Sequence, residues 1–586
     1  MSAQAAKTPG HSHLANSLVT GKLTTLAAVS LGRLWPLVTA PMLSAATVEY
    51  HLTIDEKVVN FTGKPRPAIA VNGSIPAPTL TFHEGDLARI HVTNAMKVPS
   101  SIHWHGMLVP NRMDGVPFVT FPPIKPGETF DYVFPIRQHG TYWYHSHTAL
   151  QEQKGLYGAL RILPRRGGVS GDLDRTVVLS DWTDESAHEV LRWLKRGSEW
   201  PALQRGTSQS MFGAMRAGKL GDYWKRELLR MPPMDLSDVA YDRFLANGEP
   251  EHRIAAKPGQ TVRVRIVDGS ASTFFHLQFA GGPLTIVSAD GQDVRPVIED
   301  RVLIGVAETY DVLVTTPGPG AYELRATAHD GSAWASIWIG SGERHPAPNV
   351  PHANLYNAMG KLTLENIFAL TPGGTMGMPN REVDAGKFDK PGVMGGMMTM
   401  EEMMGMKPGM KMGGMKMGDM PMGGAMSMDG GMKMKGMKMD GMAMNSESPA
   451  DPHNGKKYTW DYAPLGPDVS SRKPLAMDGM GPRPGPPYKD LRSVKKTALS
   501  SKRPAREVRL TLEGDMERYV WSLNGKTLYA SDSIKIEKGE TVRFIMINRS
   551  MMHHPMHLHG HFFRVLNGQG ARSPLKIGRA SCRERV

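Results

Sequence analysis

The chain has 586 residues, 40% of them hydrophobic, which is enough apolar sequence for real cores and enough length for three or four domains. Its formal net charge of +13 does not indicate nucleic-acid binding, because much of the excess lies in solvated Lys-rich stretches (Lys407 to Lys438, Lys495 to Lys502) and at the extreme C-terminus, with no basic helix or aromatic-interleaved basic patch. A single cysteine, Cys582, excludes a disulfide framework within the chain and any multi-Cys zinc site.

Residues 1–46 read as an export segment. The stretch LTTLAAVSLGRLWPLVTAPMLSAA, over 23–46, is too short and too interrupted by Arg33 and Pro36 to span a bilayer, so no integral membrane protein is expected. Lys22 ahead of it and small residues near Ala45–Ala46 resemble a secretory signal, although no Arg-Arg pair is present. His11 and His13 form an HSH in unpatterned sequence and are read as chance.

Three later segments share one pattern. NGSIPAPTLTFHEGDLARIHVTN leads to His103, NGEPEHRIAAKPGQTVRVRIVD to His276, and NGKTLYASDSIKIEKGETVRFIMIN to His557. The spacing from turn glycine to histidine is 18 (Gly85 to His103), 17 (Gly259 to His276) and 18 (Gly539 to His557). Each segment alternates apolar and polar residues, the mark of a strand with one buried face. Three matched units predict an all-β protein of three β-sandwich domains, over 47–165, 166–345 and 501–575. Helical periodicity is scarce, Leu191 to Trp200 being one short candidate. Residues 346–500 are rich in Gly, Pro, Lys and Met and cannot build a further core, so they predict a disordered insert between the second and third domains.

Histidines then gather at HWHG (His103, His105), YWYHSH (His145, His147) and HPMHLHGH (His554, His557, His559, His561). In a strand, residues two apart point to one face, so each H-x-H can aim two imidazoles at one metal or at two adjacent metals. A nitrogen-rich ligand set favours copper over zinc. These motifs, in this order, resemble the first three copper-binding motifs of multicopper oxidases. The Met-rich insert and GDMERYVWSLNGK are similar to the bacterial copper-resistance protein A branch, and the likeness covers roughly residues 47–570.

The resemblance implies cupredoxin-like Greek-key domains with copper as cofactor, in one type-1, one type-2 and one binuclear type-3 centre. It implies type-2 ligands at His103 and His557, type-3 ligands at His105, His145, His147 and His559, and a type-1 ligand at His554. Asp114, in NRMDGVP, matches an acidic position that relays protons in relatives. His561 matches a position that is not a ligand, and the lone His276 implies a copper-free second domain.

Family members close with an H-C-H motif, and nothing here matches it. Cys582 is flanked by Ser581 and Arg583, lies 25 residues after His557, and no histidine follows His561. The tail KIGRASCRERV, residues 576–586, reads as the translation of a sequencing adapter, so the authentic protein is expected to break off near Leu575 and this chain is expected to be inactive. Residues 394–444 hold 21 of the 40 methionines. Met403, Met404, Met406, Met410, Met412, Met415, Met417 and Met420 are the candidate thioethers for capturing Cu(I), which prefers soft donors.

The function so implied is copper resistance in the periplasm, with Cu(I) oxidised and dioxygen reduced to water. Other periplasmic copper-handling proteins are candidate partners, and nucleic acid is not. Two other readings remain open, a non-catalytic copper-sequestering protein and a laccase-like phenol oxidase.

Overall fold

A computed structural model describes residues 45–205, 207–228, 237–350, 356, 364, 383–387, 487–499, 505–515, 519–527, 534–550, 553–576 and 579–581. Residues 1–44, the methionine array Met403–Met420 and Cys582 lie outside these residues. The architecture is mostly strand, in cupredoxin-like units arranged in chain order.

The first unit contains β1 (Thr47–Val59), β2 (Arg66–Val71), β3 (Ala77–His83), β4 (Leu87–Asn94), β5 (His103–His105), β6 (Thr129–Pro135), β7 (Gly140–His145) and β8 (Tyr157–Leu163). They form two four-stranded sheets, ordered β2-β1-β4-β6 and β3-β8-β7-β5. Alternation sets the faces: β4 buries Ala88, Ile90 and Val92 while Arg89, His91 and Thr93 stay partly exposed. Between the sheets lie Leu80, Phe82, Ile90, Val92, Trp104, Tyr132 and Tyr144.

The second unit is larger. Its strands are β9 (Leu173–Trp182), β10 (Arg243–Ala246), β11 (Glu251–Ile254), β12 (Thr261–Asp268), β13 (Phe275–Phe279), β14 (Leu284–Ala289), β15 (Gln292–Glu299), β16 (Arg301–Ile304), β17 (Thr309–Thr315), β18 (Gly320–Ala328), β19 (Trp334–Ser341) and β20 (Arg344–His345). One six-stranded sheet runs β10-β9-β12-β17-β14-β15, and β11-β19-β18-β13-β16 faces it with β20 paired to β18.

Four helices enter between β9 and β10: α1 (Ala187–Lys195), α2 (Trp200–Arg205), α3 (Met211–Arg216) and α4 (Leu220–Leu228). The expected candidate, Leu191 to Trp200, runs across the end of α1. Serine caps open α1 and α3. The Ser186 hydroxyl accepts from the Glu189 amide at 3.2 Å and that of Ser210 from the Gly213 amide at 3.0 Å. All four are short, six to nine residues, and α1 buries Ala187 and Val190 on one face.

The third unit has β21 (Ala505–Asp515), β22 (Val520–Leu523), β23 (Thr541–Asn548), β24 (Pro555–His557), β25 (Phe563–Arg564), β26 (Leu575–Lys576) and β27 (Arg579–Ser581). All three units open in the same way. β1, β9 and β21 each pair antiparallel with the next strand (β2, β10, β22) and parallel with a later one (β4, β12, β23). The repeated Asn-Gly reflects this: Asn72, Asn247 and Asn524 all take left-handed φ values of 49–51°, each followed by a glycine of positive φ, a backbone that Asn and Gly tolerate best.

Part of the expected linker packs against the second unit. Tyr488 and Leu491 are buried in its core, and the Asn567 amide donates to the carbonyls of Tyr488 and Leu491 at 2.7 and 2.8 Å. Lys576, the first residue of the tail, is buried too, its ammonium 3.3 Å from Asp290 and 3.0 Å from Glu308.

Candidate metal centre

β5 is a three-residue strand whose pairing with β7 sets His103 opposite His145, Trp104 opposite Tyr144 and His105 opposite Trp143. The alternation of β5 divides its residues between two environments. Trp104 joins the hydrophobic core of its unit, its ring 5.1 Å from Tyr132, and this anchors the strand. His103 and His105 turn the other way, towards the third unit.

There they meet the histidines of β24 and the turn beyond it. The ligand nitrogens of His103, His105 and His145 lie within 4.8 Å of one another, as do those of His103, His557 and His559. His105 and His557 stack with ring centroids 3.8 Å apart, and His103 and His559 approach to 4.2 Å. His147 completes the group, 5.4 Å from His559 and 5.8 Å from His103. Six of the seven predicted ligand histidines therefore converge from the first and third units. His103 belongs to both close sets, so these distances do not reproduce the implied division into type-2 and type-3 ligands. His554 is not brought into the cluster. It bonds Ser550 Oγ at 2.5 Å and packs edge-on against Trp521 at 4.5 Å. His561 stays exposed, its Nδ1 donating to the His559 carbonyl at 3.1 Å.

Hydrogen bonds fix which nitrogen each imidazole presents. The Nδ1–H of His103 donates to the Asp114 carbonyl at 2.7 Å, and that of His559 to Asp114 Oδ2 at 2.9 Å. His145 Nδ1 donates to Glu152 Oε2 at 2.8 Å and to the Ser146 carbonyl at 3.0 Å. His103 and His559 are left with Nε2 as lone-pair donor, the outer-shell arrangement that orients metal-binding imidazoles, while His145 Nε2 lies 3.4 Å from His105 Nδ1. Glu152 was not singled out from sequence. It lies in the turn after β7, where no motif marks it and only the chain reversal brings it to His145.

Burial disfavours the charged form of two of the donors. Burial, aided by the neighbouring imidazoles and only partly offset by Asp114, pushes His103 down to about 4, so its ring is uncharged at neutral pH. His147 is lowered for the same reasons, burial first. Burial works against the Asp114 carboxylate, but its bonds to His103 and His559 outweigh that and hold it well below the usual carboxylate range.

Gly115 makes the Asp114 loop possible. It has φ +79°, and a Cβ there would meet the Ile102 carbonyl oxygen at 1.8 Å. Only glycine lets the loop lie against the residue that precedes β5.

The residues present fit copper. Among the described residues, His103 Nε2 is buried without a hydrogen-bond partner. A buried lone pair costs free energy unless something binds it, and an imidazole-rich donor set suits copper.

The chain belongs to the multicopper oxidase family. Family models for multicopper oxidases match residues 53–167, 174–337 and 501–583. Copper resistance protein A of Escherichia coli is 36% identical over 87% of this chain and 82% of its own length. A copper resistance protein A homolog of Pseudomonas syringae pv. tomato is 33% identical over 87% and 82%. Fet3p, a multicopper oxidase that functions in iron import, matches with a TM-score of 0.51 at 17% identity, over 92% of this chain and 83% of that structure, which is a likeness of fold. The cofactor of the family is copper, in type-1, type-2 and type-3 centres. Among the described residues, no helix is long and apolar enough to cross a membrane.

Proposed function

We propose that the protein is a copper-resistance oxidase that takes electrons from Cu(I) and passes them to dioxygen, giving water. The observation that carries this reading is the convergence of His103, His105, His145, His147, His557 and His559 from two domains. Bound there, copper supplies the four-electron chemistry that avoids releasing partly reduced oxygen. His103 and His557 are the proposed type-2 ligands and His105, His145, His147 and His559 the proposed type-3 ligands. His554 serves the type-1 centre.

The protein's own groups orient these ligands and manage protons. Asp114 holds the Nδ1–H of His559, which keeps Nε2 facing the centre. Being ionised at neutral pH, it can accept a proton and must give it up again quickly, which suits a relay better than a proton store. Glu152 holds His145 in the same manner. Trp143 stacks on His145 at 4.2 Å and limits water on that side.

The methionine array is proposed to gather Cu(I) for the type-1 centre, and residues 1–46 to direct export to the periplasm, where other copper-handling proteins would be partners. The 586 residues supply one cysteine and no histidine after His561. We propose that this chain alone, without an H-C-H motif, does not turn over.

Oxygen uptake driven by Cu(I) tests the reading. A protein expressed from the source gene through its own 3′ end should consume oxygen, and the 586-residue chain should not. No uptake by the former, with copper still retained, would favour sequestration. Faster uptake with phenols than with Cu(I) would favour the laccase-like reading, and uptake by the 586-residue chain would sink the proposal of inactivity.

A further inference from the structure

The solvent face of the other sheet of the first unit carries a second imidazole cluster that the oxidase reading does not use. β1 and β4 run parallel in a register that sets His51 beside His91. β6 pairs on the far side of β4 and sets Asp131 beside His91. Glu49 and His51 are two residues apart on β1 and so share its outer face. The rings of His51 and His91 stack at 4.6 Å with 13° between their planes. Glu49 Oε1 lies 2.9 Å from His91 Nε2 and 3.4 Å from His51 Nε2, and His91 Nδ1 is 2.7 Å from Asp131 Oδ1.

We propose that Glu49, His51 and His91 form a surface site for one divalent copper ion, with Asp131 as the outer carboxylate that orients His91. The ligand atoms of the three already lie within 4.8 Å of one another. Asp131 accepts the Nδ1–H of His91, leaving Nε2 for the metal, an outer-shell arrangement like that of Asp114 and His559. Two imidazoles and a carboxylate with open positions for water suit borderline divalent ions, and among these Cu(II) binds most strongly. Three adjacent strands hold the groups at the observed spacing, so little ordering is needed on binding.

The site does not depend on the oxidase reading, although that reading would generate Cu(II) beside it in solution. The test is a Cu(II) titration of the metal-stripped full chain against a chelator of known affinity, with ions counted after desalting. His51→Ala should hold one Cu(II) fewer than wild type. The His51 side chain is 76% exposed, so its removal does not threaten the fold. Asp131→Asn should keep the ion but bind it roughly 10–100-fold more weakly. Equal copper counts in wild type and His51→Ala overturn the site, and an unchanged affinity in Asp131→Asn overturns the role of Asp131.

Discussion

At the scale of single residues, Asp114 and Gly115 do most to shape the centre. Asp114 serves two ligands at once, through its carbonyl for His103 and its carboxylate for His559. Asp114→Asn leaves an acceptor for His559 but removes the charge that favours the Nδ1–H tautomer. Copper retention, read by chelator competition, should weaken by about 10–100-fold while the fold is kept. Gly115→Ala acts through the backbone, since its Cβ collides with the Ile102 carbonyl. The loop must then move, and a loss on the order of 1–3 kcal/mol is expected, together with weaker copper binding. Thermal unfolding checks the first effect, and a melting temperature equal to wild type would mean that the loop relaxes freely.

At the scale of elements, the short strand β5 is held because its partner β7 is fixed against the second unit. Trp143 lies in a cluster with Tyr157, Val178, Val267 and Phe274 that joins the first and second units. Beside it, the Thr141 hydroxyl donates to Asp311 at 2.6 Å. Asp311 also accepts from Arg265 at 3.2 Å, and Arg265 pairs with both carboxylate oxygens of Asp174 at 2.7 Å. Arg265 is buried, but Arg265→Met leaves Asp311 paired with Arg263 at 2.5 Å and Asp174 partly exposed, so the loss should be on the order of 1–3 kcal/mol. Chemical denaturation followed by tryptophan fluorescence measures this. A loss below about 1 kcal/mol would show that the network is surface-like.

At the scale of the whole molecule, docking between units carries a pH signature. His139 of the first unit lies 3.2 Å from Asp293 of the second and 3.4 Å from Glu84. The bond to Asp293 is the largest of the influences that raise the His139 pKa, and the same bond holds Asp293 low. A histidine raised on folding stabilises most below its unfolded value of about 6.5, and the contribution fades as pH rises through the folded value. Melting temperature should therefore fall from pH 6 to pH 8 by more in wild type than in His139→Gln. An identical fall in both would remove His139 from the account.

The class of fold and the threefold repeat were legible in the sequence, and so were the paired histidines of the H-x-H motifs. These features rest on local regularities: period-2 alternation, Asn-Gly turns and H-x-H spacing. How closely the histidines approach is a tertiary outcome, because His103 and His557 are far apart in sequence and approach only when two domains close on each other. Glu152 and the burial of Tyr488 and Leu491 were illegible, since each depends on chain reversals that leave no periodic trace, and of the helices only the end of α1 was foreshadowed. The surface pair His51 and His91 is a further case. Neither residue carries a motif, and only the parallel pairing of β1 with β4 sets one imidazole against the other.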